Sequence, residues 1–187
     1  MNRCPWVGKN KPHYEHYHDT EWGIPVHNDH KHFEMLILEG AQAGLSWETI
    51  LKRRENYREV FKQFDPVIVA KMSDADLEII LTNPGIIRNR LKVYSTRQNA
   101  QIFINIQQEF GSFDAYVWRF VQGRPKINCP QSLQEVAAQT IESEALSKDL
   151  KKRGMNFVGP TIMYAYMQAV GMVDDHIVEC FRCSKDK

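Results

Sequence analysis

LKKRGMNFVGPTIMYAYMQAVG, residues 150–171, is the stretch on which the fold turns. A basic helix ends at Gly154, a five-residue loop follows over 155–159, and Pro160 with Thr161 opens a second helix. Proline suits the first helical position, because the N–H it lacks would have no partner there. Gly159 permits close backbone approach, and the exposed N–H groups together with the helix dipole favour an anion such as a phosphate. Lys148, Lys151, Lys152 and Arg153 add positive charge nearby. Taken alone, this is an αα-hairpin with a solvated Lys/Arg face. Taken as a site, it offers Gly159, Thr161 and Lys152 to a nucleic-acid backbone.

Outward from the hairpin the dominant periodicity is again helical. DHKHFEMLILEGAQAG, 29–44, places Phe33, Leu36, Ile37 and Ala41 on one stripe, with Asp29 as its cap and Gly44 as its stop. Ser46 caps a helix over 47–61, in which Ile50, Leu51 and Phe61 face inward. Further helices are expected over 73–83, 87–111, 113–123 (after Ser112) and 143–154. Residues 124–140 contain proline and glutamine and read as a surface loop. No alternating run is long enough for a strand, so the expected class is all-α.

Composition narrows the function classes. At 187 residues, 43% of them hydrophobic, the chain is expected to form one domain over 1–187, built as two small helical subdomains on a shared core. A charged-then-apolar leader and a long uncharged apolar run are both lacking, so neither secretion nor a membrane span is expected, and the default location is cytoplasmic. The net charge of +1 decides nothing about nucleic acid, because only local clustering would. Lacking a coiled-coil pattern, the chain is expected to be a monomer.

Four cysteines in a reducing compartment suggest thiols or metal ligands rather than a disulfide framework. In VDDHIVEC, 173–180, His176 and Cys180 have the spacing of one helical turn. Cys4 stands at the other end of the chain, near HYEHYHDTEWG, 13–23. A Cys2His2 set is a common tetrahedral zinc site, closed to substrate. His13, His16 and His18 compete for one place in it and Cys183 competes with Cys180. Such a site would clip the two ends of the chain together.

The hairpin followed about a dozen residues later by VD-x-H resembles the helix–hairpin–helix DNA glycosylases, although of the usual L-P-G-V-G only Val158 and Gly159 are kept. RCPWVG, YHDTEWGIPV, FEMLILEGAQAGLSW and LKKRGMNFVGPTI…VDDHIVEC together resemble one family within them, the constitutive 3-methyladenine DNA glycosylase I. The resemblance runs from Cys4 to Cys180. It implies a helix–hairpin–helix fold, with the hairpin near 145–171, and a structural zinc ion held by Cys4, His18, His176 and Cys180.

The resemblance also implies an activity: hydrolysis of the N-glycosidic bond of 3-methyladenine in double-stranded DNA. The damaged base must be flipped out of the stack to be reached. Once flipped it is a delocalised cation, which electron-rich ring faces attract by about 1–2 kcal/mol in a dry pocket. The family pattern assigns the carboxylate to Glu39 and the aromatic walls to Tyr17, Trp22 and Trp47, with Trp6 close by. Leu45, in the turn AGLSW, is the candidate wedge for the vacated stack. A cationic leaving group needs little acid help, and PTIMYAYMQAVGM, 160–172, just after the hairpin, holds no lysine to form a Schiff base, so a monofunctional glycosylase is expected. Asp174 aligns with the catalytic aspartate of the wider superfamily, but this family often has asparagine there, and Asp174 is read as the cap of a helix carrying His176. The competing class is a zinc-stapled helix–hairpin–helix module that binds DNA without chemistry and has no use for Glu39.

Overall fold

The structure, a computed structural model, describes residues 2–183. The chain is helical: α1 Pro12–Thr20, α2 Asp29–Gln42, α3 Trp47–Leu51, α4 Arg54–Val60, α5 Pro66–Ala70, α6 Asp74–Thr82, α7 Arg90–Phe110, α8 Phe113–Val117, α9 Ile141–Lys152 and α10 Pro160–Ala169. Two-residue strands, β1 Lys126–Ile127 and β2 Val173–Asp174, pair in parallel. No helix among the described residues is long and apolar enough to cross a membrane.

The hub is α2. Its residues 32–41 are buried without interruption, so no side of this helix faces water. Helices α3, α7, α8 and α10 pack around it. Phe33 meets Phe103 of α7 edge-on at 5.1 Å, and Phe103 stacks on Phe113 of α8 at 4.1 Å. Burying Phe33, Leu36, Ile37 and Leu38 contributes about 1.5–3 kcal/mol each relative to exposure. A helix buried all round must find partners for its polar side chains. His32 finds Tyr166 Oη at 2.6 Å and Asp114 Oδ1 at 2.9 Å. Glu34 accepts from Arg54 Nε at 2.6 Å and from Arg58 Nε at 2.9 Å.

Several boundaries depart from the sequence reading for local reasons. Asn28, not Asp29, caps α2, accepting from Lys31 N–H at 3.0 Å. Asp29 turns away instead and accepts from the N–H groups of Phe113 and Asp114 at 2.9 and 2.8 Å, fixing the start of α8. The helix expected over 47–61 breaks at Lys52–Arg53, and Arg54 thereby reaches the interior to pair with Glu34 and Glu21. Thr140 begins α9 earlier than expected through a capping box with Ser143. Ser46 caps as read, and Ser73 and Ser112 cap α6 and α8, each accepting from a first-turn N–H.

The largest departure is at the end of the chain. Residues 173–180 are not a helix: Val173–Asp174 pair with Lys126–Ile127, and 178–180 form a turn. His176 and Cys180 are therefore not on a helix face. Segment 124–140, read as a loop, supplies β1 and a short helical turn at Leu133–Glu135.

Candidate active site and metal cluster

A cavity of about 360 Å³ opens where α1, α2, α3 and α10 meet, and its wall includes Trp6, Tyr14, Tyr17, Trp22, Glu39 and Trp47. Each comes from a different local device. Pro12 starts α1, which puts Tyr14 and Tyr17 three residues apart on one face. The turn after α1 carries Trp22, and Ser46 caps α3 so that Trp47 lies in its first turn. The rings pack against one another, Trp6 on Trp22 at 5.1 Å, Trp6 on Tyr14 at 5.4 Å and Tyr17 on Trp47 at 5.5 Å, so the walls are stiff before anything binds. A larger groove of about 810 Å³ runs along α4, α5 and α6, but no aromatic ring lines it.

Glu39 is 4% exposed, and among the described residues it has no hydrogen bond or ion pair. Burial alone pushes its carboxyl up to about 8. Tyr17 is held well above the ordinary phenol range, first by burial and then by the charge of Glu39, so it stays neutral. The cavity thus presents electron-rich ring faces and one carboxyl that a cation would ionise. The family pattern assigned Glu39, Tyr17, Trp22, Trp47 and Trp6 to one pocket, and all five line this cavity. It missed Tyr14, although the i, i+3 spacing to Tyr17 was visible, and it missed Leu133, Val136 and Gln168, for which no local signal exists.

Leu45 is 41% exposed in the turn between α2 and α3. Lys92 of α7 holds that turn, donating to Ala41 O at 2.9 Å and Ala43 O at 2.7 Å, and its ammonium lies 6.0 Å from the Phe157 ring. Phe157 belongs to the hairpin loop and adopts φ +57°. A Cβ on Gly40 would come within 3.1 Å of Phe157 Cβ, so the loop seats directly on α2 beside Glu39. Asn99 clamps the same loop, donating to Asn156 O at 2.9 Å and accepting from Asn156 N–H at 3.0 Å. Beyond the loop Gly159 precedes α10, with nothing within 4 Å of where a Cβ would stand, and Thr161 and Lys152 are exposed.

Against the Trp6 and Trp22 side of the cavity wall, the N- and C-terminal segments meet. The donor atoms of Cys4, His18 and Cys180 lie within 4.8 Å of one another, all buried. His18 Nε2 is 3.4 Å from Cys180 Sγ and 3.3 Å from the Cys4 N–H, while its Nδ1 is 2.8 Å from Asp19 Oδ1. Phe181 N–H donates to Asn2 O at 2.9 Å beside them. His13 faces Glu48 and His16 bonds Thr20, so of the three N-terminal histidines only His18 joins the cluster. Cys183 lies outside it.

His176 stands against this cluster, its ring centroid 5.0 Å from that of His18. Its Nδ1 is 2.7 Å from Asp174 Oδ1, which makes Nδ1 the protonated nitrogen and leaves the Nε2 lone pair free. That Nε2 is buried without a hydrogen-bond partner. Two buried thiols, a carboxylate-oriented imidazole and an orphaned imidazole nitrogen fit a tetrahedral metal ion and its supporting shell. Without a cation the set is uncomfortable: burial, together with the Cys180 thiol, pushes Cys4 up to about 12. Asp174 also accepts from His176 N–H at 3.1 Å, so it closes a turn around His176 rather than capping a helix.

The methyladenine glycosylase family model matches residues 6–183. DNA-3-methyladenine glycosylase 1 of Escherichia coli (strain K12) is 49% identical over 180 residues, covering 96% of this chain and 96% of that protein. A crystal structure of a 3-methyladenine DNA glycosylase I superposes with a TM-score of 0.94 at 50% identity, over 97% of this chain and 99% of that one. The Staphylococcus aureus 3-methyladenine DNA glycosylase I, solved to explain its recognition of 3-methyladenine, gives a TM-score of 0.95 at 36% identity, over 100% of this chain and 99% of that one.

Proposed function

The chain belongs to the methyladenine glycosylase family, and from that footing we infer that it is a DNA-3-methyladenine glycosylase, removing the alkylated base from DNA as a monofunctional hydrolase. The observation that carries the reading is Glu39, a buried carboxyl on the wall of an aromatic cavity with no partner among the described residues. A non-enzymatic DNA-binding module would use the hairpin and the cluster but would gain nothing from that costly group.

In this reading the DNA backbone lies on the helix–hairpin–helix unit near 145–171, where Gly159, Thr161 and Lys152 meet phosphates. Leu45 fills the gap left by the flipped nucleotide. The base enters between the rings of Tyr17, Trp22 and Trp47, with Trp6 behind them. Its positive charge favours the ionised form of Glu39, whose proton is released to water, and the resulting carboxylate accepts from the exocyclic amine. Neutral adenine gains neither the ring-face attraction nor the charge pair, and this difference is the selectivity. The glycosidic bond to a cationic base is already weak, so water completes the hydrolysis with pocket binding and electrostatic support of the sugar cation. Asp174, committed to His176, positions that ring and takes no part in the chemistry.

We assign a structural zinc ion to Cys4, His18, His176 and Cys180. Bound there, it supplies a cross-link between the two ends of the chain and no chemistry at the base. The substrate is taken as double-stranded DNA and the enzyme as a monomeric single domain.

The deciding experiment incubates the protein with methylated duplex DNA and follows free 3-methyladenine. Release by the wild type, with a loss of a hundredfold or more in Glu39→Ala at unchanged helical signal, is the expected result. DNA binding without release would overturn the enzyme reading in favour of the binding module.

A further inference from the structure

Asp175 is buried just beyond β2 and collects three side-chain donors. Tyr164 Oη and Gln168 Nε2 both donate to its Oδ2 at 2.7 Å, and Asn128 Nδ2 donates to its Oδ1 at 2.7 Å. The short parallel pair brings Asn128 there, through Asn128 N–H donating to Asp174 O at 3.0 Å. Tyr164 and Gln168 are one turn apart on α10, so a single carboxylate spans both.

Gln168 is also part of the cavity wall. Its backbone carbonyl accepts from Gly23 N–H at 2.9 Å, next to Trp22. Alone, a glutamine amide can present either its carbonyl or its NH2 to a pocket. A carboxylate accepts and does not donate, so Asp175 permits one orientation: the NH2 towards Asp175, and Oε1 away from it. That oxygen has no hydrogen bond among the described residues.

We propose that Asp175 is a positioning residue that fixes Gln168 Oε1 as a second hydrogen-bond acceptor in the base pocket, selecting flipped bases that carry N–H donors. The inference rests on the glycosylase reading of the cavity. It adds to Glu39 an acceptor whose direction is set from outside the pocket. Glu39 reads the charge of the base, whereas Gln168 reads where its hydrogens are. A 6-amino purine satisfies both, and a 6-oxo purine turns a lone pair where the pocket already has one.

The test is a double-mutant cycle on kcat/KM for release of 3-methyladenine from methylated duplex DNA, using Gln168→Leu, Asp175→Asn and the pair. Gln168→Leu removes the acceptor, and about a tenfold loss is expected, the scale of one hydrogen bond. Asp175→Asn lets the amide flip and is expected to cost a similar factor. In the Gln168→Leu background Asp175→Asn is expected to cost nothing further, because the group through which it acts is gone. Binding of free 3-methyladenine, followed by tryptophan fluorescence, should weaken in parallel. Losses that multiply would show Asp175 to be merely structural and would overturn the proposal, as would Gln168→Leu with wild-type kinetics. If Asp175→Asn does not fold, Gln168→Leu decides alone, a tenfold loss supporting the proposal and an unchanged rate overturning it. Wild-type protein that releases no base would sink the glycosylase reading and this inference together, whereas wild-type release with an unaffected Gln168→Leu sinks this inference only.

Discussion

Glu34 and Glu39 are buried on the same helix, five residues apart, yet Glu34 is enclosed by Arg54 and Arg58 while Glu39 faces an aromatic cavity and pairs with no cation among the described residues. Burial pushes both carboxyls up, but at Glu34 the bond and charge of Arg54 outweigh it and hold the group below the usual range. At Glu39 nothing opposes burial, and the group stands at about 8. One carboxylate is satisfied by the fold. The other is left for a ligand.

The stability of the protein should therefore depend on pH through Glu39 in an unusual sense. A carboxyl raised from 4.5 to about 8 binds its proton more tightly when folded. Its contribution is fully present below pH 4.5 and is lost as pH rises through 8, at about 1.4 kcal/mol per unit. Glu39→Gln keeps the shape and cannot ionise. Its melting temperature should match the wild type near pH 5 and exceed it increasingly towards pH 9. A constant difference across that range would contradict the assignment.

Activity should follow the opposite course over the same window. A cationic base is bound by the ionised carboxylate, and kcat/KM reports the protonation state of the free enzyme. With Glu39 neutral below about 8, kcat/KM for 3-methyladenine release should climb between pH 6 and 8. In Glu39→Gln the rate should be lower and this climb should disappear. A climb that survives the substitution would assign it to another group.

The pocket was legible through the family pattern, supported by tryptophans clustered in the first fifty positions and by LILEG, which sets a charge among apolar neighbours. Cys4, His18 and Cys180 were legible as a set only through the family pattern, since 162 residues separate His18 from Cys180. The supposed helix around His176 failed for a tertiary reason. An i, i+4 spacing says that two side chains meet if the backbone is helical, but β1 and Asp174 hold that backbone extended and turned. The break at Lys52–Arg53 was equally invisible, because it serves Arg54, whose partners lie on α2 and in the turn after α1. Gln168 carried no signal at all. Its meaning comes from Asp175, which local sequence shows only as the second residue of a doublet.

On the zinc assignment proposed above, removing one ligand of the terminal cluster should release the ion and loosen both ends. His176→Ala is expected to lower bound zinc, measured by atomic absorption, from one per chain to none, and to lower the melting temperature. The loss should be large, because the cross-link closes a loop of nearly the whole chain. His16→Ala, at a neighbouring histidine bonded to Thr20 and outside the cluster, should leave zinc at one per chain. Zinc retained in His176→Ala would exclude that residue from the set.

The Asn99–Asn156 clamp should matter to DNA binding as well as to folding. Asn99 Nδ2 and Oδ1 hold both polar groups of the Asn156 backbone, and the next residue, Phe157, sits at φ +57°, which a non-glycine residue adopts only when its surroundings enforce it. Asn99→Ala removes two hydrogen bonds from a buried side chain to an exposed loop, a loss of about 1–3 kcal/mol in stability. The freed loop then no longer presents Gly159 and the α10 N-terminus in a fixed place. Affinity for a duplex carrying an abasic-site analogue should fall about tenfold, while binding of free 3-methyladenine, which touches only the cavity, should hardly change. Equal losses in both would mean that the clamp supports α2 and Glu39 rather than the hairpin, and would move the DNA contact away from residues 155–161.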